Sequence, residues 1–263
     1  MRLYLEAMRM SYRRYRAYGA ANVAGLLTNA FFGLLRSYVF IALYHARPVA
    51  EGYRLADILT YVWLSQALIM PIYLWGWQEI ALTIRSGDVV GDLSKPFNYF
   101  GFWLSRDLGR AAYHILYRWL PTMAMGLVLF HTRLPGSPAT WPAFALSLFL
   151  AIVISFCLRF MINVGAFWTT DVRGIMGMTL LFVNFLSGFL VPLEFFPPTL
   201  RAVAEALPFA GMISIPMNVF LERAQGTALL GLLARQALWA AVFVLSAQLL
   251  LGAATRKLVV QGG

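Results

Sequence analysis

The chain has 263 residues, of which 60% are hydrophobic and only 12% charged, and its mean hydropathy is +0.70. A soluble domain carries about a quarter charged residues, so this chain cannot clothe itself in water-facing side chains and reads as an all-α integral membrane protein. Its net charge of +10 comes without the basic stripe of a nucleic-acid binder, which argues against a nucleic-acid partner and assigns the surplus to span ends beside anionic lipid.

Residues 1–20, MRLYLEAMRMSYRRYRAYGA, contain arginines throughout and lack the apolar stretch and cleavage site of a signal peptide. Wound as a helix, they place Arg2, Arg9, Arg13 and Arg16 on one face and Met1, Tyr4, Met8, Tyr12, Tyr15 and Tyr18 on the other. That pattern predicts an amphipathic helix lying in the membrane interface, aromatic side toward lipid, with a partner-binding surface as the sharper alternative.

Six stretches are long and apolar enough to cross a bilayer: 22–44, 57–79, 108–130, 142–167, 174–193 and 228–252. Arg36, Arg118 and Arg159 fall inside three of them, and each needs shelter, snorkelling room or a partner. With the amino terminus inside, twelve basic residues (Arg2, Arg9, Arg13, Arg14, Arg16, Arg85, Lys95, Arg106, Arg110, Arg173, Arg256, Lys257) face five outside (Arg47, Arg54, Arg133, Arg201, Arg223). That imbalance predicts a multi-pass protein with both termini cytoplasmic.

Between the second and third spans lies IRSGDVVGDLSKPFNYF, residues 84–100. A helix continues from Glu79 to Arg85, Ser86-Gly87-Asp88 punctuates it, and Gly91 to Pro96 sets a second boundary. A further interfacial helix from Asn98 to Arg110 would hold Phe97, Tyr99, Phe102 and Trp103 at headgroup level with Arg106 and Arg110 outward. The carboxylates Glu79, Asp88, Asp92, Asp107 and Asp171 all fall in or beside such cytoplasmic segments, where a solvated face suffices for most.

Residues 186–222 are too apolar for a wet loop and too broken by Pro192, Pro197, Pro198, Pro208 and Pro216 for one spanning helix. Short helices that dip into the outer leaflet and return fit this pattern; an extra pair of irregular spans or an interfacial loop are the alternatives.

Recognised catalytic signatures are absent: no phosphate loop, no HExxH, no GxSxG, and no paired carboxylates within a span. Cys157 is alone, so neither an intramolecular disulfide nor a structural zinc site is indicated. The mid-span charges are arginines, which release no proton, and this counts against an ion-coupled secondary transporter. That reading, and a non-transporting assembly or scaffold protein, remain the alternatives.

The six spans, the basic amino-terminal helix, IRSGDVVGDLSKPFNYF and LSGFLVPLEFFPPTLRAVAEALPF together resemble a permease subunit of the ABC type-2 exporter superfamily. Within it, the nearest resemblance is to bacterial permeases encoded in pairs beside one ATPase. The resemblance implies a single transmembrane domain over 1–263, in the cytoplasmic (inner) membrane. It implies no catalysis and no cofactor in this chain, with ATP and Mg held by a partner ATPase dimer, a second permease subunit alongside, and lipid around both. The coupling region would be 80–107, with Arg85, Ser86, Gly87, Asp88, Asp92, Lys95 and Pro96 meeting the ATPase and residues 1–18 packing beside it. Spans one, two and five would face the second permease and bring Asn29, Arg36, Gln66 and Asn184 near the pathway, Arg36 being either a pathway charge or a buried structural partner. Pro192, Glu194, Pro197 and Pro208 would belong to the re-entrant helices that close the exit.

Overall fold

A computed structural model describes residues 1–46, 49–73, 77–169 and 171–257; Arg47, one of the five basic residues expected outside, lies outside the described residues. Helix α1, Arg2–Arg16, precedes α2, Gly19–Ala46, and a minimal hairpin pairs β1, Val49–Ala50, with β2, Tyr53–Arg54. Helix α3 covers Leu55–Ile72, and the short helices α4, Glu79–Ser86, and α5, Val89–Leu93, follow it. Helix α6, Tyr99–His114, passes through a π turn at Ile115–Trp119 into α7, Leu120–Phe130. Then come α8, Thr140–Val164, α9, Arg173–Leu186, α10, Pro198–Ala206, α11, Ser214–Phe220, and α12, Gly226–Thr255. The chain is an all-α integral membrane protein, and α2, α3, α8 and α12 each have the length and apolarity of a span.

Three of the expected boundaries move, and one helix faces a different surface. The second span ends at Ile72, where Tyr73 turns left-handed (φ 58°), rather than running to 79. The third belongs to a longer rod that begins at Tyr99, so no separate interfacial helix precedes it and Trp103 and Tyr99 are buried instead of sitting at headgroup level. The fifth stops at Leu186, and its 14 residues extend only ~21 Å against the ~30 Å of a hydrocarbon core. Finally, the aromatic side of α1 lies against α6 and not against lipid. Tyr12 meets Tyr113 edge-on at 5.8 Å, Tyr15 meets His114 at 5.2 Å, and the Tyr4 hydroxyl accepts the Asn98 amide at 3.1 Å. A neighbouring protein helix supplies both the apolar surface and the polar partners that tyrosines need, which lipid tails cannot.

The core is built around α3, whose side chains are almost all enclosed by α2, α6, α7 and α8. Trp63 stands at its centre, completely buried, with its indole donating to Ser37 Oγ at 3.1 Å. Glycines make the room: a Cβ on Gly126 would lie 2.6 Å from the indole and one on Gly33 at 3.1 Å. The π turn has an equally local cause. Pro121 carries no N–H for the carbonyl of Tyr117 four residues earlier, and that freed oxygen accepts a bond from Asn22 Nδ2 at 3.1 Å. The next residue, Arg118, reaches back from the rod to donate to Asn22 O at 2.7 Å, over the space left by Gly25. At the far end, Glu222 accepts from Ser137 N (2.8 Å), Gly136 N (3.2 Å) and Thr140 Oγ1 (2.8 Å), tying the turn that leads into α8 to the residues after α11.

The residues after α9 form short elements, as the prolines indicate, and the way they are satisfied explains how they pack among apolar helices. Four successive carbonyls left by the end of α9 each receive an outside donor. Ser214 N bonds Ser187 O at 2.9 Å, the Tyr61 hydroxyl bonds Gly188 O, and Arg36 Nη2 bonds both Phe189 O, at 3.1 Å, and Leu190 O. Arg36 also donates to Ser65 Oγ at 2.9 Å. Leu193 is fully buried beyond this knot, and Glu194 accepts from Tyr53 at 3.1 Å.

Close backbone approach makes one position especially sensitive. A Cβ at Gly109 would lie 2.1 Å from the Met8 carbonyl oxygen, so Gly109→Ala forces α1 away from α6. We expect it to cost about 1–3 kcal/mol and to make the peptide bonds after the α1 arginines cleavable by trypsin in detergent. Unchanged cleavage and melting would show that α1 is not seated on α6.

Candidate functional site

The segment between α3 and α6 forms an exposed turn with a firm base. Glu79 opens α4, where a carboxylate suits the helix amino terminus. It gathers Arg106 from α6 at 2.7 Å, Arg14 from α1 at 3.1 Å and the Trp77 indole at 3.3 Å. Burial pushes the Glu79 carboxyl up, but the bonds and charges of Arg106, Trp77 and Arg14 outweigh it and hold the group below its ordinary value. Along α4, Ile80 and Ala81 are buried against α8, and the Ala81 amide donates to Asn163 Oδ1 at 3.0 Å.

Beyond this base the chain turns outward. Gly87 has φ 85°, a conformation that side-chain-bearing residues rarely adopt, and ends α4. Ser86 Oγ donates to Asp88 Oδ2 at 2.6 Å, and Lys95 pairs with Asp92 at 2.7 Å. Val89 points inward, 2% exposed, with Ile84 and Leu93 packed half-buried against the same core, while Arg85, Ser86, Gly87, Asp88, Lys95 and Pro96 face solvent and Asp92 is half-buried. The result is a short charged knuckle, pinned by Val89, Ile84 and Leu93 and by its own hydrogen bonds.

What fastens the knuckle to the spans is a buried ion cluster that sequence reasoning misplaced. Asp107 is 5% exposed instead of solvated, and Arg110, expected to point outward, is equally hidden. Asp107 accepts from Arg110 Nε at 2.8 Å and Nη2 at 3.2 Å, and from Arg159 Nη1 at 3.2 Å and Nη2 at 3.0 Å. Arg110 simultaneously donates to the carbonyls of Met70 and Pro71, and Ser155 Oγ donates to that of Ile72. These are the last carbonyls of α3, which have no partner within the helix, and a cation there also complements the helix dipole. Tyr73 lies beneath both guanidiniums, 4.6 Å from Arg110 and 5.0 Å from Arg159. Asn163 completes the tie, donating to Trp77 O and Arg159 O at 2.7 Å each. The ends of α3 and α8, the middle of α6 and the start of α4 therefore share one polar cluster. The i, i+3 spacing of Asp107 and Arg110 was visible in the sequence; the pairing with Arg159, 52 residues away, was not.

The residues expected near a pathway fall in three places. Asn29 Nδ2 donates to the Gln66 carbonyl at 3.1 Å, joining α2 to α3, and Gln66 is 3% exposed within the chain's own fold. Arg36 serves the carbonyls after α9, and Asn184 lies half-buried on α9 itself. Pro192 and Pro197 precede short helical turns, Pro208 begins another, and Glu194 is held by Tyr53.

The structure thus defines a class: an all-α multi-pass membrane protein whose buried charges pair with one another and with helix-end carbonyls, and which presents a charged knuckle at one end of its spans. The chain belongs to the family described as ABC-2 family transporter protein, whose model matches residues 31–262. No curated protein matches it.

Two outcomes test this geometry. Asp107→Asn leaves two buried guanidiniums without their counter-charge, and we expect a loss of about 3–5 kcal/mol in thermal or denaturant unfolding in detergent. Replacing the cluster together (Asp107→Leu, Arg110→Met, Arg159→Met) should cost less than the single variants predict in sum. For Glu79 the sign follows from its lowered value: its contribution is full above the ordinary carboxylate value near about 4.3 and fades as pH falls through the lower folded one. Glu79→Gln should therefore melt below wild type at pH 7, with the gap closing in acid; a gap independent of pH would contradict the ionic role.

Proposed function

We propose that the chain is the membrane subunit of an ATP-driven exporter and that the knuckle at 84–96 docks in a cleft of a separate ATP-binding subunit. In this reading Arg85, Asp88, Asp92 and Lys95 make the polar contacts, α1 packs beside the same subunit, and ATP and Mg stay in the partner. One observation carries it: the exposed knuckle is backed by Glu79 and the Asp107 cluster, so a push on it reaches α3, α6 and α8 together. Coupling between distant sites requires such a shared two-state body.

The α1 end is the cytoplasmic one in this proposal. Discounting Arg110, which is buried, leaves eleven basic residues on that side (12 − 1) against five opposite, still the cytoplasmic excess. A second permease, identical or related, would cover an apolar face of α2 and α9, where Phe31, Phe32, Leu35, Met178 and Leu181 are exposed. The broken segment at 192–222 would close the outer end of the pathway between the two permeases. Asp107 gives no support to ion coupling, because four guanidinium N–H groups already occupy it.

Charge reversal tests the docking site. In Asp88→Lys combined with Asp92→Lys, affinity for the ATP-binding subunit that copurifies with wild type should fall about tenfold or more, as like charges meet across the contact. Membrane insertion and melting should stay as in wild type. Full affinity in the folded double variant would place the contact elsewhere.

A further inference from the structure

We propose that the groove between α1, the α6–α7 rod and α8 is a binding site for one anionic phospholipid, headgroup at the α1 arginines and acyl chain along the rod. Two contiguous cavities make it. A lateral cleft of about 490 Å³ runs from Leu108 to Trp119 on the rod and from Ile152 back to Trp141 on α8, with an almost wholly apolar lining. A second cavity of about 350 Å³ opens beside α1, lined by Arg9, Arg13 and Arg16. Met8 and Ala112 line both, so the basic mouth adjoins the apolar cleft.

The dimensions and chemistry select the occupant. The eleven helical steps from Leu108 to Trp119 rise ~16 Å, close to half of an ~30 Å hydrocarbon core, which is the depth of one leaflet. A volume of this size accepts a lipid tail or a small ligand, but the open flank and the absence of polar side chains along the cleft favour a hydrocarbon chain. The mouth selects charge. Arg13 and Arg16 have no carboxylate partner among the described residues, and Arg9 has only the exposed Glu6 at 2.8 Å. Arg9, Arg13 and Arg16 follow one another at helical spacing on the exposed side of α1, leaving three guanidiniums for one phosphate. The π turn contributes Ile115 and Trp119 to the wall, so the widening that Pro121 imposes on the rod also shapes the cleft.

This site does not depend on the coupling proposal, and its test needs no ATPase. The purified full chain, stripped of lipid in detergent, would be titrated with phosphatidylglycerol or phosphatidylcholine and bound lipid counted by native mass spectrometry. We expect one phosphatidylglycerol retained at least about tenfold more tightly than phosphatidylcholine, since each basic residue near an anionic surface strengthens attraction about fivefold. Arg9→Gln with Arg13→Gln and Arg16→Gln should remove that preference. Ala145→Phe, which fills the cleft wall from α8, should weaken retention of both lipids while leaving the arginines in place. Bromine on the acyl chain of phosphatidylglycerol should quench tryptophan emission, and Trp119→Phe with Trp141→Phe should abolish the bound-lipid component of that quenching. Equal retention of both lipids by wild type, or a preference that survives the triple substitution in a chain of unchanged melting temperature, would overturn the proposal. So would binding of glycerol phosphate alone with the affinity of the whole lipid, since the acyl chain would then contribute nothing.

Discussion

A helix that ends among apolar neighbours leaves carbonyl oxygens with no partner, and water is not there to supply one. The arrangement of this protein follows from how it meets that demand. The end of α3 is served by Arg110 and Ser155, and the end of α9 by Arg36, Tyr61 and the returning amide of Ser214. The gap made by Pro121 is served by Asn22. Two of the donors are intramembrane arginines, a residue type otherwise costly at such depth. A guanidinium offers five donors, and one arginine can serve two carbonyls and a third group at once.

Serving carbonyls with cations leaves positive charge to balance, and the two ends solve this differently. At the α3 end the balance is Asp107, shared between Arg110 and Arg159, which also binds α8 to α6. Such a buried cluster adds little net stability compared with a well-packed apolar one, but its directional bonds admit a single alignment of the helices. Helix α4 grows from that cluster through Trp77 and Asn163, and this makes the exposed knuckle an extension of the bundle instead of a tether. At the α9 end Arg36 has no acid beside it among the described residues and relies on carbonyl oxygens, Ser65 and the Phe189 ring at 5.6 Å. That end is the more lightly held, and α9 keeps much of its apolar surface exposed.

Much of the architecture was legible in the residues because membrane physics is strongly periodic and compositional. The long apolar helices, the knuckle's punctuation at Gly87 and the proline-broken region after α9 all follow from local rules. The side chains whose surroundings differ from expectation share one cause: charge and aromaticity point to solvent or headgroups only where no other helix claims them. Asp107, Arg110 and Trp103 are polar or amphipathic residues consumed by other helices, and Tyr12 and Tyr15 face α6 in place of lipid. Their partners lie tens of residues away, so a local window contains no trace of them. Gly109 had a readable clue, a glycine inside a predicted span, yet the Met8 carbonyl that requires it belongs to another helix.

A push on the knuckle reaches the spans only if α4 and the spans form one body. Hydrogen exchange of the wild-type chain in detergent tests this without any substitution, because local opening is read separately from global unfolding. The amide of Ala81, bonded to Asn163, and its neighbours in α4 should exchange as slowly as those of α3 and α8. Exchange of α4 on the timescale of exposed loops, with α3 and α8 still protected, would show a loosely hinged appendage and contradict the account.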